Sequence, residues 1–223
     1  MLTRALSERG RRVIAVEIDR RLLADLRSVE WPSDNVEIVG RDFLDYPLPR
    51  SPYKFFANVP FARTADVVRK LAFSSHQPQD AYLVMQVEAA VRFLGQPFGP
   101  ESEISLLLKA QFEVSVVAWL NRTDFIPPPS VSSVLLRLNR PASPRVDPAE
   151  ARDYRQFVRS AMRRGSRATE SHLRSMLGGA PVRALASEMN FPLGAPPSEV
   201  SFEHWLAAFR LRNWNRIGDP DLR

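Results

Sequence analysis

At 223 residues, 44% hydrophobic and 25% charged, the chain has the composition of a globular protein with room for one full core and a small accessory domain. It contains no cysteine and its histidines, His76, His172 and His204, stand far apart, so thiolate chemistry, disulfides, a cysteine or histidine metal site and a Ser/His/Asp triad all lack support. The net charge of +6 suits a polyanionic partner, while the absence of a long apolar run and of a signal-peptide pattern leads to the expectation of a cytoplasmic protein with no membrane partner.

Taken in chain order, Leu2, Ala5 and Leu6 have helical spacing, Gly10 ends that turn, and Val13–Glu17 (VIAVE) reads as a strand. A helix follows, with Leu22, Leu23, Leu26 and Val29 expected to face inward. Further strands are expected at Val36–Val39, Phe55–Val59 and Tyr82–Met85, with a helix from about Thr64 to Phe73. Gln111–Leu120 and Ser132–Leu138 read as a closing pair joined by the proline-rich Phe125–Pro129. This alternation is that of a βαβ protein with a mostly parallel sheet.

The segment Pro141–Asp147 (PASPRVD) has no periodicity and is taken as the boundary between a catalytic domain, residues 1–142, and a helical domain, residues 143–223. After it the strand signals stop. Helices are expected at Pro148–Met162, Ala168–Leu177, Val182–Met189 and Phe202–Asn213, the last capped by Ser201. Positive charge is denser here, with 13 Arg against 9 Asp plus Glu from residue 141 onward. Arg159, Arg163, Arg164 and Arg167 cluster across a helix and loop, a pattern suited to RNA phosphates. Trp119, Trp205 and Trp214 read as packing or exposed helix residues rather than base-stacking platforms.

Three short segments carry chemistry. Glu17, ending the first strand in VEID, stands where nucleotide-binding α/β sheets place a carboxylate for ribose hydroxyls, and Asp42 in GRDF follows the next strand at the same edge. The sharper signal is Asn58-Val59-Pro60-Phe61, after the apolar strand KFFA and before a helix. A nucleobase amine has its lone pair delocalised into the ring and is a poor nucleophile. Acceptors such as the Asn58 side-chain oxygen and the carbonyls near Val59 and Pro60 make its nitrogen more tetrahedral and aim the lone pair. Proline stiffens the turn, and Phe61 offers a face to an extruded base.

In order, VEID, GRDFLDYPLP, NVPF and DFIPPPSVSSVLLRL resemble the ribosomal RNA adenine dimethyltransferase family, which holds both small-subunit dimethylases and erythromycin-resistance enzymes. The resemblance runs from about Leu2 to Arg212, through FVRSAMRRGSRATESHL and SFEHWLAAF. It implies a Rossmann-like sheet dependent on S-adenosylmethionine, followed by a small all-α domain that binds RNA, in a monomeric enzyme. By the same resemblance Glu17 binds the cofactor ribose, Ile18 and Phe43 flank its adenine, and Asp42 accepts from the adenine amino group. Asn58 touches both cofactor and target amine, with Pro60 and Phe61 completing the catalytic turn. Phe61 stacks on the target adenine, where relatives often have tyrosine, and Phe125 closes the other face. Arg163, Arg164 and Arg167 bind RNA.

Within the family, ESEISLLLKAQFEVSVVAWLNRTDFIPPP is similar to the resistance type, which implies an adenine of 23S rRNA as target and macrolide resistance as outcome. The alternatives are a small-subunit (16S) dimethylase of ribosome assembly and a non-catalytic RNA-binding relative. One feature departs from the family pattern: no G-x-G arrangement occurs among the nine glycines. The first strand and glycine-rich loop are therefore expected to be missing from an N-terminally truncated chain, leaving a gap between the strands that carry Glu17 and Asn58.

Overall fold

The computed structural model describes residues 2–31, 34–163 and 169–217. In chain order the elements are α1 (Leu2–Ser7), β1 (Val13–Glu17), α2 (Arg20–Ser28), β2 (Val36–Gly40), β3 (Lys54–Asn58), α3 (Thr64–Phe73), β4 (Asp80–Gln86), α4 (Val87–Leu94), α5 (Glu103–Gln111), β5 (Glu113–Leu120) and β6 (Ser133–Asn139). The helices α6 (Ala151–Met162), α7 (Thr169–Leu177), α8 (Gly179–Met189) and α9 (Phe202–Ile217) follow. The chain divides into two units, residues 1–52 with 65–77, and residues 53–64 with 78–223.

In the first unit β1 and β2 pair in parallel, from Val13 opposite Val36 to Glu17 opposite Gly40. The side chain of Asp19 starts α2 by accepting the backbone N–H groups of Arg21 and Leu22 at 2.8 and 3.2 Å, two of the donors a helix start leaves unpaired. Glycine at position 40 gives α2 its close approach, since a Cβ there would lie 2.6 Å from Leu23 Cδ2. Leu23, Leu26 and Val29 are half-buried, but Leu22 is 53% exposed, contrary to the expectation from spacing. Leu22 lies on the stripe of Leu26 and Val29, and it stands in the capped first turn at the start of the helix.

The second unit is built on a four-stranded sheet in the order β3-β4-β6-β5. β3 and β4 are parallel, whereas β6 runs antiparallel to both β4 and β5, the expected closing pair. Alternation sorts the strands into two faces. Ala81, Leu83 and Met85 of β4 and Val134, Leu136 and Leu138 of β6 are fully buried, on the side covered by α4 and α5. These two helices were not among the expected elements. A capping box, in which Ser102 and Ser105 satisfy each other's backbone N–H groups, starts α5. The other face of the sheet is polar and aromatic. Phe56 stacks on Tyr82 with ring centroids 4.8 Å apart, the Arg137 guanidinium lies 5.6 Å from the Tyr82 ring, and Asp80 accepts from Arg137 and Asn139 at 2.7 and 3.0 Å. Burial pushes the Asp80 carboxyl up, but these hydrogen bonds and the Arg137 and Lys54 charges outweigh it and hold it below the usual carboxylate range.

Among the described strands β1 pairs only with β2 and β3 only with β4, so the ladders form two separate sets. In the helical region Tyr154, Phe157, Val158 and Ala161 line one face of α6, and the rings of Tyr154 and Phe157 pack with Trp205 and Phe209 of α9, with centroids 5.0 to 5.9 Å apart. Each of these large side chains contributes roughly 1.5–3 kcal/mol by leaving water. A backbone hydrogen bond from the residue of a buried ion pair joins this region to the segment before α5. Glu101 has no exposed side-chain surface, accepts from Lys109 Nζ and Ser105 Oγ, each at 2.6 Å, and donates its backbone N–H to the Ser198 carbonyl. Ser201 Oγ accepts the His204 N–H at 3.4 Å, matching the expected cap of α9.

Candidate functional site

Glu17 and Asp42 lie at the carboxyl ends of adjacent parallel strands, because the β1–β2 ladder continues past its last register pair: Arg41 N–H donates to the Glu17 carbonyl at 3.0 Å. One carboxylate oxygen of Glu17 accepts two backbone N–H groups of its own turn, from Ile18 and Asp19, both at 2.8 Å. That fixes the carboxylate, and among the described residues its second oxygen takes no hydrogen bond, which suits a diol. Ile18, the next residue, is 65% exposed, an apolar surface beside a fixed acceptor. Asp42 holds a tight turn, accepting the Leu44 N–H at 2.8 Å through its side chain and the Tyr46 N–H at 3.1 Å through its carbonyl. Phe43 is half-buried within the same turn.

Lys70 also belongs to this site, although the sequence does not single it out. From α3 its ammonium donates to the carbonyls of Leu44 and Tyr46 at 2.7 and 2.6 Å and lies 5.2 Å from the Phe43 ring centroid. Partial burial lowers its pKa, against an opposing pull from the Asp45 and Asp42 charges. Lys70 thus staples the turn that carries Asp42 and Phe43. Nothing in its spacing along α3 marks that long-range role.

In the second unit Asn58 ends β3 opposite Val84, and the following residue extends the pairing, with Val59 N–H donating to the Val84 carbonyl at 3.0 Å. Val59 is buried, anchoring the turn, while Asn58 and Pro60 are exposed. The Pro60 carbonyl accepts from Arg63 N–H at 2.9 Å and Thr64 Oγ1 at 3.3 Å. Phe61 opens the 3-10 turn Phe61–Arg63, and its side chain lies outside the described residues. Phe125 comes to this same edge of the sheet. β6 starts at Ser133 opposite Gln86 and Leu120, and Val87 N–H donates to the Ser132 carbonyl at 3.2 Å. The loop 121–132 therefore leaves the sheet at the edge where Asn58 stands, two strand spacings or about 10 Å along it.

The loop is braced from within. Asn121 N–H donates to the Asp124 carboxylate at 2.8 Å, and Arg122 Nε to the Pro129 carbonyl at 2.7 Å. Phe125 is half-buried. A cavity of about 350 Å³ lined by Lys109, Glu113, Arg145, Phe202 and Glu203 lies at the start of β5, the opposite end of the sheet, and holds none of these residues.

Of the basic cluster, Arg163 is exposed just past α6, whereas Arg159 is engaged by Glu103 at 2.9 Å; Arg164 and Arg167 lie outside the described residues. Trp205 is buried and Trp119 is 59% exposed, while the Trp214 side chain is not among those described. Among the described residues no group of acidic or histidine side chains is arranged to hold a metal, and no helix is long and apolar enough to cross a membrane.

The family model for ribosomal RNA adenine dimethylase matches residues 1–210. The chain is similar to the ribosomal RNA small subunit methyltransferase A of Synechococcus sp. (strain JA-2-3B'a(2-13)), at 30% identity over 92% of this chain and 74% of that protein. It is also similar to an rRNA adenine N-6-methyltransferase of Saccharopolyspora erythraea, at 30% identity over 99% of this chain but only 58% of that protein. Among solved structures, that of the 23S rRNA methyltransferase ErmE superposes with a TM-score of 0.86 at 29% identity, covering 96% of this chain and 86% of that one. By sequence match and by fold, the chain belongs to the ribosomal RNA adenine dimethylase family, a family of S-adenosylmethionine-dependent methyltransferases.

Proposed function

We propose that the chain transfers methyl groups to the exocyclic amine of an adenine in 23S rRNA and thereby confers macrolide-type resistance. The observation that carries this reading is the shared sheet edge of the Asn58-Val59-Pro60 turn and the Phe125 loop, because it offers amine acceptors and an aromatic face together. S-adenosylmethionine, when bound, supplies an electrophilic methyl on a sulfonium. The residues of the first unit fit its adenosine half: the second Glu17 oxygen takes the ribose hydroxyls, and Ile18 and Phe43 pack the adenine. Asp42 accepts the adenine amino group. No residue of this chain is assigned to the methionine half.

Asn58 accepts a hydrogen of the target amine through its side-chain oxygen, and the carbonyls near Val59 and Pro60 accept the other, so the nitrogen lone pair points in one direction. The rigidity of the turn matters, since a shifted acceptor no longer aims the lone pair. Phe61 and Phe125 hold the base by stacking on its two faces. Arg163, with Arg164 and Arg167, binds RNA phosphates from the helical domain, for which residues 143–223 are proposed as the extent.

The resemblance to ErmE over nearly the whole chain supports the 23S target. A relative of comparable identity named for the small subunit supports the 16S alternative. Primer extension on rRNA from cells with and without the gene separates them. An arrest at one adenine of 23S rRNA supports the proposal, and an arrest confined to 16S rRNA removes it in favour of the assembly enzyme.

A further inference from the structure

Ile126 is 100% exposed, although it is a large β-branched apolar residue immediately after the half-buried Phe125. Its loop has little freedom. Pro127, Pro128 and Pro129 each fix φ, the Asn121–Asp124 pair closes one arm, and the bond from Arg122 Nε to the Pro129 carbonyl closes the other. Packing within the protein does not explain the residue, because none of its surface is covered. The braced loop holds the backbone that carries Ile126 before any partner arrives, so binding costs little backbone entropy at this position.

Its place on the fold suggests what covers it. The loop leaves the sheet at the edge that carries Asn58, and Phe125 is the residue proposed to close on the target adenine. An adenine drawn out of a paired or stacked strand leaves a gap, and its former neighbours lose a stacking surface each. An apolar side chain can fill such a gap, as aliphatic wedges do in kinked duplexes. We propose that Ile126 is that wedge: it enters the space vacated by the target adenine, contacts the flanking bases, and so holds the base extruded while Phe125 packs against it. This rests on the adenine methyltransferase reading. Ile126 is thus a positioning residue that touches the RNA beside the reacting base, and it contributes most when the adenine starts out stacked.

The test uses two RNAs of the same sequence, one with the target adenine inside a stem and one as a short single strand. It compares wild type, Ile126→Ala, Ile126→Ser and Ile126→Leu. On the stem, kcat/KM of the Ala and Ser variants is expected to fall on the order of tenfold, the size of one lost stacking contact, and Leu is expected to restore it. On the single strand all four should agree within about twofold, since there is little to extrude. With 2-aminopurine in place of the target adenine, the fluorescence rise on binding the stem should shrink in the Ala and Ser variants.

An equal loss on both RNAs, or no loss on the stem, overturns the wedge while leaving the methyltransferase reading intact. If the wild type transfers no methyl group to adenine in either RNA, that reading fails and the wedge fails with it. Because Ile126 makes no buried contact, the variants should melt as the wild type does.

Discussion

Asn58 stands opposite Val84 in the β3–β4 ladder, and the next N–H along, that of Val59, closes on the Val84 carbonyl at 3.0 Å. The proposed amine acceptor thus sits on the last paired residue of a strand, held by a backbone bond on its far side and by a buried valine. Replacing Asn58 by Ala leaves this frame intact and removes only the acceptor. Turnover is expected to fall about 10²–10³-fold with KM for RNA changed little, the pattern of a contact used mainly in the transition state. Steady-state kinetics check it, and wild-type turnover in this variant refutes the role.

Lys70 leads to a separate expectation for cofactor affinity. It joins α3 to the turn of Asp42 and Phe43 through two carbonyls, at 2.7 and 2.6 Å. Methionine at position 70 keeps the bulk and loses both donors. Affinity for S-adenosylmethionine should drop by about tenfold, since roughly 1–2 kcal/mol of charged hydrogen bonding no longer orders the turn. Calorimetry reads this directly, and unchanged affinity shows the turn to be ordered without the lysine.

Arg163 is exposed beyond the last turn of α6, while Arg159 one turn earlier is engaged by Glu103. Substituting Arg163 by Ala should weaken RNA binding and reduce the slope of log affinity against log salt by about one. The Arg163 and Arg164 double variant should reduce it by about two. Affinities measured across a salt series provide the slopes, and parallel slopes in all proteins exclude the α6 terminus as a phosphate contact.

The stability of the protein should decline in strong alkali for an identifiable reason. Burial pushes the Tyr53 hydroxyl up to about 12, above the ordinary value near 10 for an unfolded tyrosine. Above pH ~10 the unfolded chain releases this proton while the folded chain keeps it, so the stability present below that pH is lost progressively as the pH climbs towards 12. Tyr154, raised by burial in the same sense, adds to the effect. Urea unfolding at pH 9 and pH 11 should show a smaller drop for Tyr53→Phe than for the wild type, and identical drops contradict the assignment.

Much of this fold was legible because local signals agreed. The strand at Val13–Glu17 and the helix at Thr64–Phe73 fall where periodicity places them. The helices α4 and α5 are not legible from periodicity, although Ser102 and Ser105 form a capping box, since VEAAVRFL and EISLLLKAQ are short and largely apolar. Such segments are ambiguous between buried helix and strand. Glu17 and Asp42 could be placed at neighbouring strand ends from sequence alone, and the β1–β2 register has them there. Lys70 and Ile126 could not be found that way. The partners of Lys70 lie 24 and 26 residues away, and the exposure of Ile126 depends on how a proline loop leaves a sheet.

The Asn58 turn is proposed to direct an adenine amine towards a methyl donor. The most direct measurement exposes separate 23S and 16S rRNA to the protein with isotopically labelled S-adenosylmethionine and identifies the labelled nucleoside after digestion. N6-methylated adenosine from 23S rRNA is expected with the wild type, and a loss of roughly two or more orders of magnitude with Asn58→Ala. Label in a nucleoside other than adenosine, or equal label with the two proteins, contradicts the proposal.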